Sequence, residues 1–132
     1  MENRFKEWKP PEIEEGKLTK WNWMVQNKDG LKIGNKVDIG AFTYINAKYG
    51  VEFEDNVQIG SHCSIYSLST IDNKNGRVVI KKNACIGSHS VVMPGVTIGE
   101  NSIVGAFSFV NKDVPDNVVV IGVPAKVVKK RE

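Results

Sequence analysis

An all-β fold of stacked parallel coils, a three-sided parallel β-helix, is what this sequence predicts, on three observations. Aliphatic residues recur every six positions, the residue four places after each is small or β-branched, and aliphatic-glycine pairs recur in phase. The first run is Ile33, Ile39, Ile45; it resumes as Phe53, Ile59, Ile65 and continues as Ile80, Ile86, Val92, Ile98, Val104, Val110. A period of six is neither the 3.6 of a helix nor the 2 of a flat strand, and a fixed repeat outranks any local propensity in deciding the fold.

The small positions are Val37, Thr43, Val57, Cys63, Ser69, Ala84, Ser90, Val96, Ser102, Ser108 and Val114, with Tyr49 the one poor fit. One large and one small inward residue per hexad suit a short strand followed by a corner, and three hexads close one triangular coil. Coils are therefore expected to start at Ile33, Phe53, Ile80 and Ile98, with parallel strands ~4.8 Å apart. The register has an internal check: Ile39-Gly40, Ile59-Gly60, Ile86-Gly87 and Val104-Gly105 fall in one column, with the glycines expected where the backbone bends tightly.

The organisation follows from where the repeat breaks. Residues 1–30 lack it and are expected to cap the open end through Trp8, Trp21, Trp23 and Met24, because a repeat stack must hide its exposed edge. Pro10-Pro11 excludes a helix there. The β-helix is assigned to 31–114, with a two-residue bulge near Tyr49-Gly50 and a projecting loop at 66–79, whose Asp72, Asn73, Asn75 and Gly76 are turn formers. Residues 115–132 are read as a return segment that covers the last edge.

Charge and composition narrow the function. Lys and Arg total 18 against 15 Asp and Glu, a net of +3, too small an excess to argue for nucleic acid. Lys126, Lys129, Lys130 and Arg131 nevertheless crowd one end, where basic side chains suit a phosphorylated ligand. No run approaches the ~20 apolar residues that cross a bilayer. The first residues carry no apolar leader core, and a cytoplasmic location is expected. Cys63 and Cys85 have neither metal-type nor disulfide-framework spacing. The two histidines, His62 and His89, hold equal places in two Ile-Gly-Ser-His hexads. They should stack on one corner, with Phe42 above and Phe107 below.

The hexads, together with Pro94-Gly95-Val96-Thr97-Ile98-Gly99, Lys112-Asp113-Val114-Pro115 and Gly122-Val123-Pro124-Ala125-Lys126, make residues 30–130 similar to the hexapeptide-repeat acyltransferase family, in particular to bacterial sugar and amino-sugar acetyltransferases. The resemblance implies a left-handed coil, a homotrimer with sites in the grooves between prisms, acetyl coenzyme A as co-substrate, and a small-molecule sugar acceptor. By motif it places pantetheine amides along Ser88, Gly105 and Ala106, and nucleotide phosphates near Lys112, Lys126 or Lys129. It implies no metal.

Many family members that acetylate hydroxyls resemble one another in a histidine at the start of the loop. Here that stretch reads Ser67-Leu68-Ser69-Thr70-Ile71-Asp72, without one. Three readings stay open: His62 acts as base from a neighbouring corner, Asp72 or Asn73 positions or deprotonates the acceptor, or the acceptor is an amine that needs only orientation. The missing histidine favours the amine of a nucleotide-linked amino sugar; acetylation of a sugar or small-molecule hydroxyl is the alternative. No fused nucleotide-sugar recognition domain is expected ahead of the hexads. Two rivals of another class are a γ-carbonic-anhydrase-like metal enzyme, which wants about three histidine ligands where this chain has two, and a non-catalytic β-helix scaffold.

Overall fold

The computed structural model describes residues 6–132; residues 1–5, the first part of the capping segment, lie outside them. A single strand, β1 (Met24–Gln26), precedes the first coil of β2 (Leu31–Ile33), β3 (Asp38–Ile39) and β4 (Tyr44–Asn46). The second coil is β5 (Val51–Phe53), β6 (Gln58–Ile59) and β7 (Ser64–Tyr66), followed by a hairpin of β8 (Leu68–Ser69) and β9 (Lys74–Asn75). The third is β10 (Val78–Ile80), β11 (Cys85–Ile86) and β12 (Val91–Val92), and the fourth β13 (Thr97–Ile98), β14 (Ile103–Val104) and β15 (Phe109–Val110). Two longer strands, β16 (Val118–Gly122) and β17 (Ala125–Lys130), follow.

The strands form three parallel walls. The first is β2-β5-β10-β13, the second β3-β6-β11-β14-β16 with β17 antiparallel at its edge, and the third β1-β4-β7-β12-β15. The hexad residues lie in register across them. Ile33, Phe53, Ile80 and Ile98 align on the first wall, and Ile39, Ile59, Ile86, Val104 and Val120 on the second. Val25, Ile45, Ile65, Val92 and Val110 align on the third. All are buried except Ile33, which is half-buried at the open end. Each buried aliphatic side chain contributes about 1.5–3 kcal/mol by leaving water.

The stacking reaches further than the hexads. β1 lies inside the 1–30 segment and extends the third wall by one strand, with Val25 facing in and Met24 paired beside Tyr44. β16 lies inside the 115–132 segment and extends the second wall, Val119 and Val120 pairing with Ile103 and Val104. Only β17 folds back. Each end adds one wall of a coil, too little to show as a repeat.

The inward small positions beside the bulge and the loop fall two residues earlier than the hexads suggest. Tyr49 is exposed and Ser69 half-buried; Ala47 and Ser67 hold the inward places instead, both fully buried. Ser67 is small for a reason: its hydroxyl donates to Asn46 O at 2.7 Å and accepts from Tyr49 N–H at 3.0 Å, so it pins both coils where the chain departs. The loop itself is a hairpin, with Leu68 opposite Asn75 and Ser69 opposite Lys74.

The glycine column has a different cause from the tight bend expected. Gly60, Gly87 and Gly105 do not lie in the left-handed backbone region. They stand where the next coil passes closest. A Cβ on Gly60 would sit 2.6 Å from Ser88 N, and one on Gly87 2.5 Å from Ala106 N.

Backbone and side-chain bonds tie the described part of the cap to the first coil, among them Met24 N–H to Thr43 O at 3.1 Å. Trp8 Nε1 donates to Val37 O at 2.9 Å, Trp23 is buried, and Trp21 is exposed. The Glu15 carboxylate accepts the N–H groups of Lys28 (2.8 Å) and Asn27 (2.7 Å) at the short 3-10 turn. These bonds, that from Lys28 first, hold its pKa below the usual carboxylate range. A lowered carboxylate pKa gives stability that is present above the unfolded-state value and vanishes as pH falls through the folded one. Glu15→Gln should therefore lower the melting temperature at pH 7, and the gap should close on acidification below the folded pKa. A gap of equal size at both ends of the titration excludes the ionised carboxylate as its source.

Candidate active site

The corner between the second and third walls carries four of the nine candidate residues, His62, Ser88, Gly105 and Ala106. Asn22, Phe42, His62, His89 and Phe107 stack there, each in left-handed backbone with φ between +57° and +67°. The coils tie this column together: Phe42 N–H donates to Asn22 O (2.6 Å), His62 N–H to Ala41 O (2.9 Å), His89 N–H to Ser61 O (3.0 Å) and Phe107 N–H to Ser88 O (3.0 Å). The rings follow. His62 lies parallel to His89, centroids 4.8 Å apart and planes within 6°; His89 stacks on Phe107 at 4.8 Å and 11°; Phe42 meets His62 at 5.4 Å, tilted by 40°. All four side chains are exposed, as expected for a corner.

Behind this ladder runs a second one that the sequence pattern gave only as a requirement for small side chains. After Phe42, His62 and His89 the next residue points inward and donates to the glycine carbonyl of the next coil; Ser108, after Phe107, instead accepts from Gly122 N–H at 3.1 Å. Thr43 Oγ1 reaches Gly60 O (3.0 Å), Cys63 Sγ reaches Gly87 O (3.3 Å) and Ser90 Oγ reaches Gly105 O (3.1 Å). Burial pushes the Cys63 thiol pKa up, so it stays the neutral donor this position needs. The signal was in the residue type: three of the four side chains at this step carry a hydroxyl and the fourth a thiol.

Ser88, Gly105 and Ala106 lie on the same corner, beside the rings of His89 and Phe107. They are not equivalent. Gly105 N–H donates to Val120 O (2.8 Å) and Gly105 O accepts from Ser90, so both its backbone groups are occupied. Among the described residues, no hydrogen bond uses the N–H of Ser88 or Ala106. Of the three, these two amides, one coil apart, are left to meet a ligand; the N–H groups of Ala41 and Ser61, at the same step of the earlier coils, are likewise unused among the described residues.

Asp72 and Asn73 are elsewhere. Their hairpin leaves at the opposite edge of the third wall, between Ser67 and Val78. Asp72 accepts a hydrogen bond from Ser69 Oγ at 2.5 Å and lies 3.7 Å from Lys74 Nζ. The Ser69 bond, more than Lys74, holds its pKa below the usual carboxylate range. A carboxylate so placed accepts hydrogen bonds well but takes up a proton poorly near neutral pH. Between Asp72 and Thr70, Ile71 is 99% exposed.

Lys112, Lys126 and Lys129 are exposed at the lower end. Arg131 is committed to the fold: Nη1 donates to Asn101 O (3.0 Å) and Asn83 O (3.2 Å). Val91 and Phe109 are half-buried on the third wall, whereas Val119 on the second is buried. Two cavities lie away from the corner. One of about 610 Å³ sits on the first wall beside Lys32, Glu52 and Lys82, and one of about 1020 Å³ lies beneath the cap among Trp8, Trp21 and Trp23. Neither is lined by His62, Asp72 or Ala106. Among the described residues, no three His, Cys, Asp or Glu side chains gather as a metal site.

Residues 77–112 match the family model of the bacterial transferase hexapeptide, six repeats. The galactoside O-acetyltransferase of Escherichia coli K12 is 38% identical over 112 residues, which cover 74% of this chain and 55% of that protein. The chain belongs to the hexapeptide-repeat family. Its fold is accordingly the left-handed parallel β-helix. The chain spans about half the length of the curated relatives it matches. Two solved structures are also similar. One is a hexapeptide-repeat acetyltransferase from Vibrio cholerae in complex with acetyl coenzyme A, with a TM-score of 0.79 and 28% identity, covering 83% of this chain and 65% of that one. The other is an N-acyltransferase from Bacillus cereus in complex with dTDP and 3-hydroxybutyryl-CoA, with a TM-score of 0.70 and 27% identity, covering 87% and 79%.

Proposed function

We propose that this chain is a coenzyme A-dependent acetyltransferase that acts on a sugar, with the amine of a nucleotide-linked amino sugar as acceptor. The observation that carries the reading is the make-up of one corner: the exposed imidazole of His62 stands on it, and the backbone amides of Ser88, on the next coil, and Ala106, on the coil after that, are unoccupied. A thin chain with amide groups can lie along such a corner and accept from those N–H groups. Lys112, Lys126 and Lys129 then offer positive charge to its phosphates, an interaction tolerant of geometry. The galactoside and Vibrio relatives support the donor, and the Bacillus N-acyltransferase supports the acceptor class.

The transfer itself asks little of the protein. The acceptor nitrogen attacks the thioester carbonyl, the C–N bond forms, and the C–S bond breaks to release the thiol of coenzyme A. The proton lost by the amine passes to His62. A backbone N–H of the corner stabilises the oxyanion. Asp72 and Asn73 orient the acceptor through hydrogen bonds and do not deprotonate it.

One chain holds the two halves of this site at opposite edges of the third wall, the ring corner at one and the hairpin at the other. A neighbouring copy that brings its hairpin to the corner completes it, which favours a closed homotrimer with one site per groove. The half-buried apolar side chains of Val91 and Phe109 suit the wall between copies.

A hydroxyl acceptor is the second reading, favoured by the identity to a galactoside O-acetyltransferase. The two separate in one assay. Purified protein with acetyl coenzyme A is offered dTDP-linked 3- and 4-amino sugars and, separately, simple galactosides, and the released thiol is measured. Turnover with the amino sugars at least tenfold above the galactosides is expected; the reverse order replaces the amine by a hydroxyl, and no thiol release with either rejects the sugar acetyltransferase reading.

A further inference from the structure

The two equivalent corners of the prism solve the same backbone problem differently. Between the first and second walls the left-handed positions are Lys36, Asn56, Asn83, Asn101 and Asn117, with φ of +58° to +64°. Asparagine is the side chain that tolerates this conformation best after glycine. Between the second and third walls the same conformation is imposed on Phe42, His62, His89 and Phe107 in succession. Histidine is tolerated there better than most side chains, but phenylalanine is not, and strain retained at Phe42 and Phe107, on either side of the two histidines, points from the outlier towards a function.

The geometry shows what the rings do to one another. One face of the His62 imidazole lies against His89 at 4.8 Å, and its other face meets Phe42 at 5.4 Å. Phe107 covers the far face of His89. His62 thus has its faces covered and its edge, which carries both ring nitrogens, open to solvent. A free histidine at a corner would sample several rotamers; one held between flat neighbours presents a fixed edge.

We propose that Phe42, His89 and Phe107 are positioning residues: a stacked clamp that fixes the imidazole of His62 at the corner where the acceptor loses its proton. This rests on the reading of His62 as proton acceptor. His89 does not touch the substrate; it acts through the ring above it.

His89→Leu keeps bulk and removes the flat ring; His89→Phe keeps the ring and removes the nitrogens. In proton NMR, the Cε1–H and Cδ2–H of His62 should be shifted upfield by ring currents in the wild type and in His89→Phe, and should move downfield in His89→Leu. In the thiol-release assay, His89→Leu should lower kcat about tenfold with KM for acetyl coenzyme A unchanged, and His89→Phe should recover at least half of the loss. His89→Leu should cost nothing further in a His62→Ala background, because residues acting as a unit are not additive. An unchanged His62 shift in His89→Leu overturns the clamp whatever the activity. So does an equal loss of kcat in His89→Phe, or a full further loss in the His62→Ala background. Full activity of His62→Ala, with the ring shifts behaving as described, instead removes His62 as proton acceptor and leaves the stack without a catalytic role.

Discussion

Gly87→Ala should lower stability by about 3 kcal/mol or prevent folding, whereas Gly105→Ala, the same change one coil below, should cost about 1 kcal/mol. Both glycines follow an inward aliphatic of the second wall, Ile86 or Val104, and both have ordinary backbone conformations. The difference lies in what a Cβ would meet. At Gly87 it is the backbone of the coil below, Ala106 N at 2.5 Å and Ala106 Cα at 2.8 Å. At Gly105 it is the side chain of Ile121, with Cγ1 at 2.7 Å and Cδ1 at 3.3 Å. A side chain can change rotamer. A backbone strand held by parallel ladders above and below cannot move without breaking hydrogen bonds such as Gly87 N–H to Val104 O at 2.8 Å. Urea unfolding of the two variants reads the difference directly. Equal losses would mean that the glycines serve some purpose other than coil spacing. The same spacing sets the 4.8 Å between the rings of His62, His89 and Phe107, so the glycine column is also what allows the corner to stack.

The columns and the stacked histidines were legible because a β-helix turns a one-dimensional period into a three-dimensional address. Ile39, Ile59, Ile86 and Val104 are 20, 27 and 18 residues apart, yet the phase of the hexads placed them in one column. His62 and His89 inherit their stacking from that phase. What the period cannot carry is whatever happens once per chain. Ala47 and Ser67 were hidden because the bulge and the hairpin start immediately after them, and the six-residue count was carried past them to Tyr49 and Ser69. β1 and β16 each add one strand, which has nothing to repeat against. The loss of Gly105 N–H as a ligand donor follows from β16 alone, since its partner is Val120 O. The site residues divide along the same line. The corner residues could be located from the hexads, whereas the relation of Asp72 to them depends on how copies meet, about which one chain's pattern says nothing.

Replacing residues 69–74 by Asn-Gly should reduce acceptor turnover at least a hundredfold while leaving coenzyme A affinity within about twofold, because the orienting groups go and the corner stays. Asn-Gly closes a two-residue hairpin turn between Leu68 and Asn75, which are already paired. Gly76 is kept: its N–H donates to Ser67 O at 2.9 Å, and a Cβ there would sit 2.9 Å from Gly95 Cα, so it is seated on the prism and does not belong to the projection. Calorimetry with coenzyme A and thiol release with the acceptor measure the two effects separately, and loss of both together would contradict the division between corner and hairpin. A mixing experiment takes the argument across the subunit boundary. Neither the shortened variant nor His62→Ala has a complete site of its own. If each site takes His62 from one copy and the hairpin from the next, refolding the two variants together at equal ratio rebuilds complete sites at about a quarter of the grooves, by random assembly of closed trimers. If the hairpin instead serves the corner of its own chain, no assembly contains an intact pair, and the mixture stays as inactive as its parts.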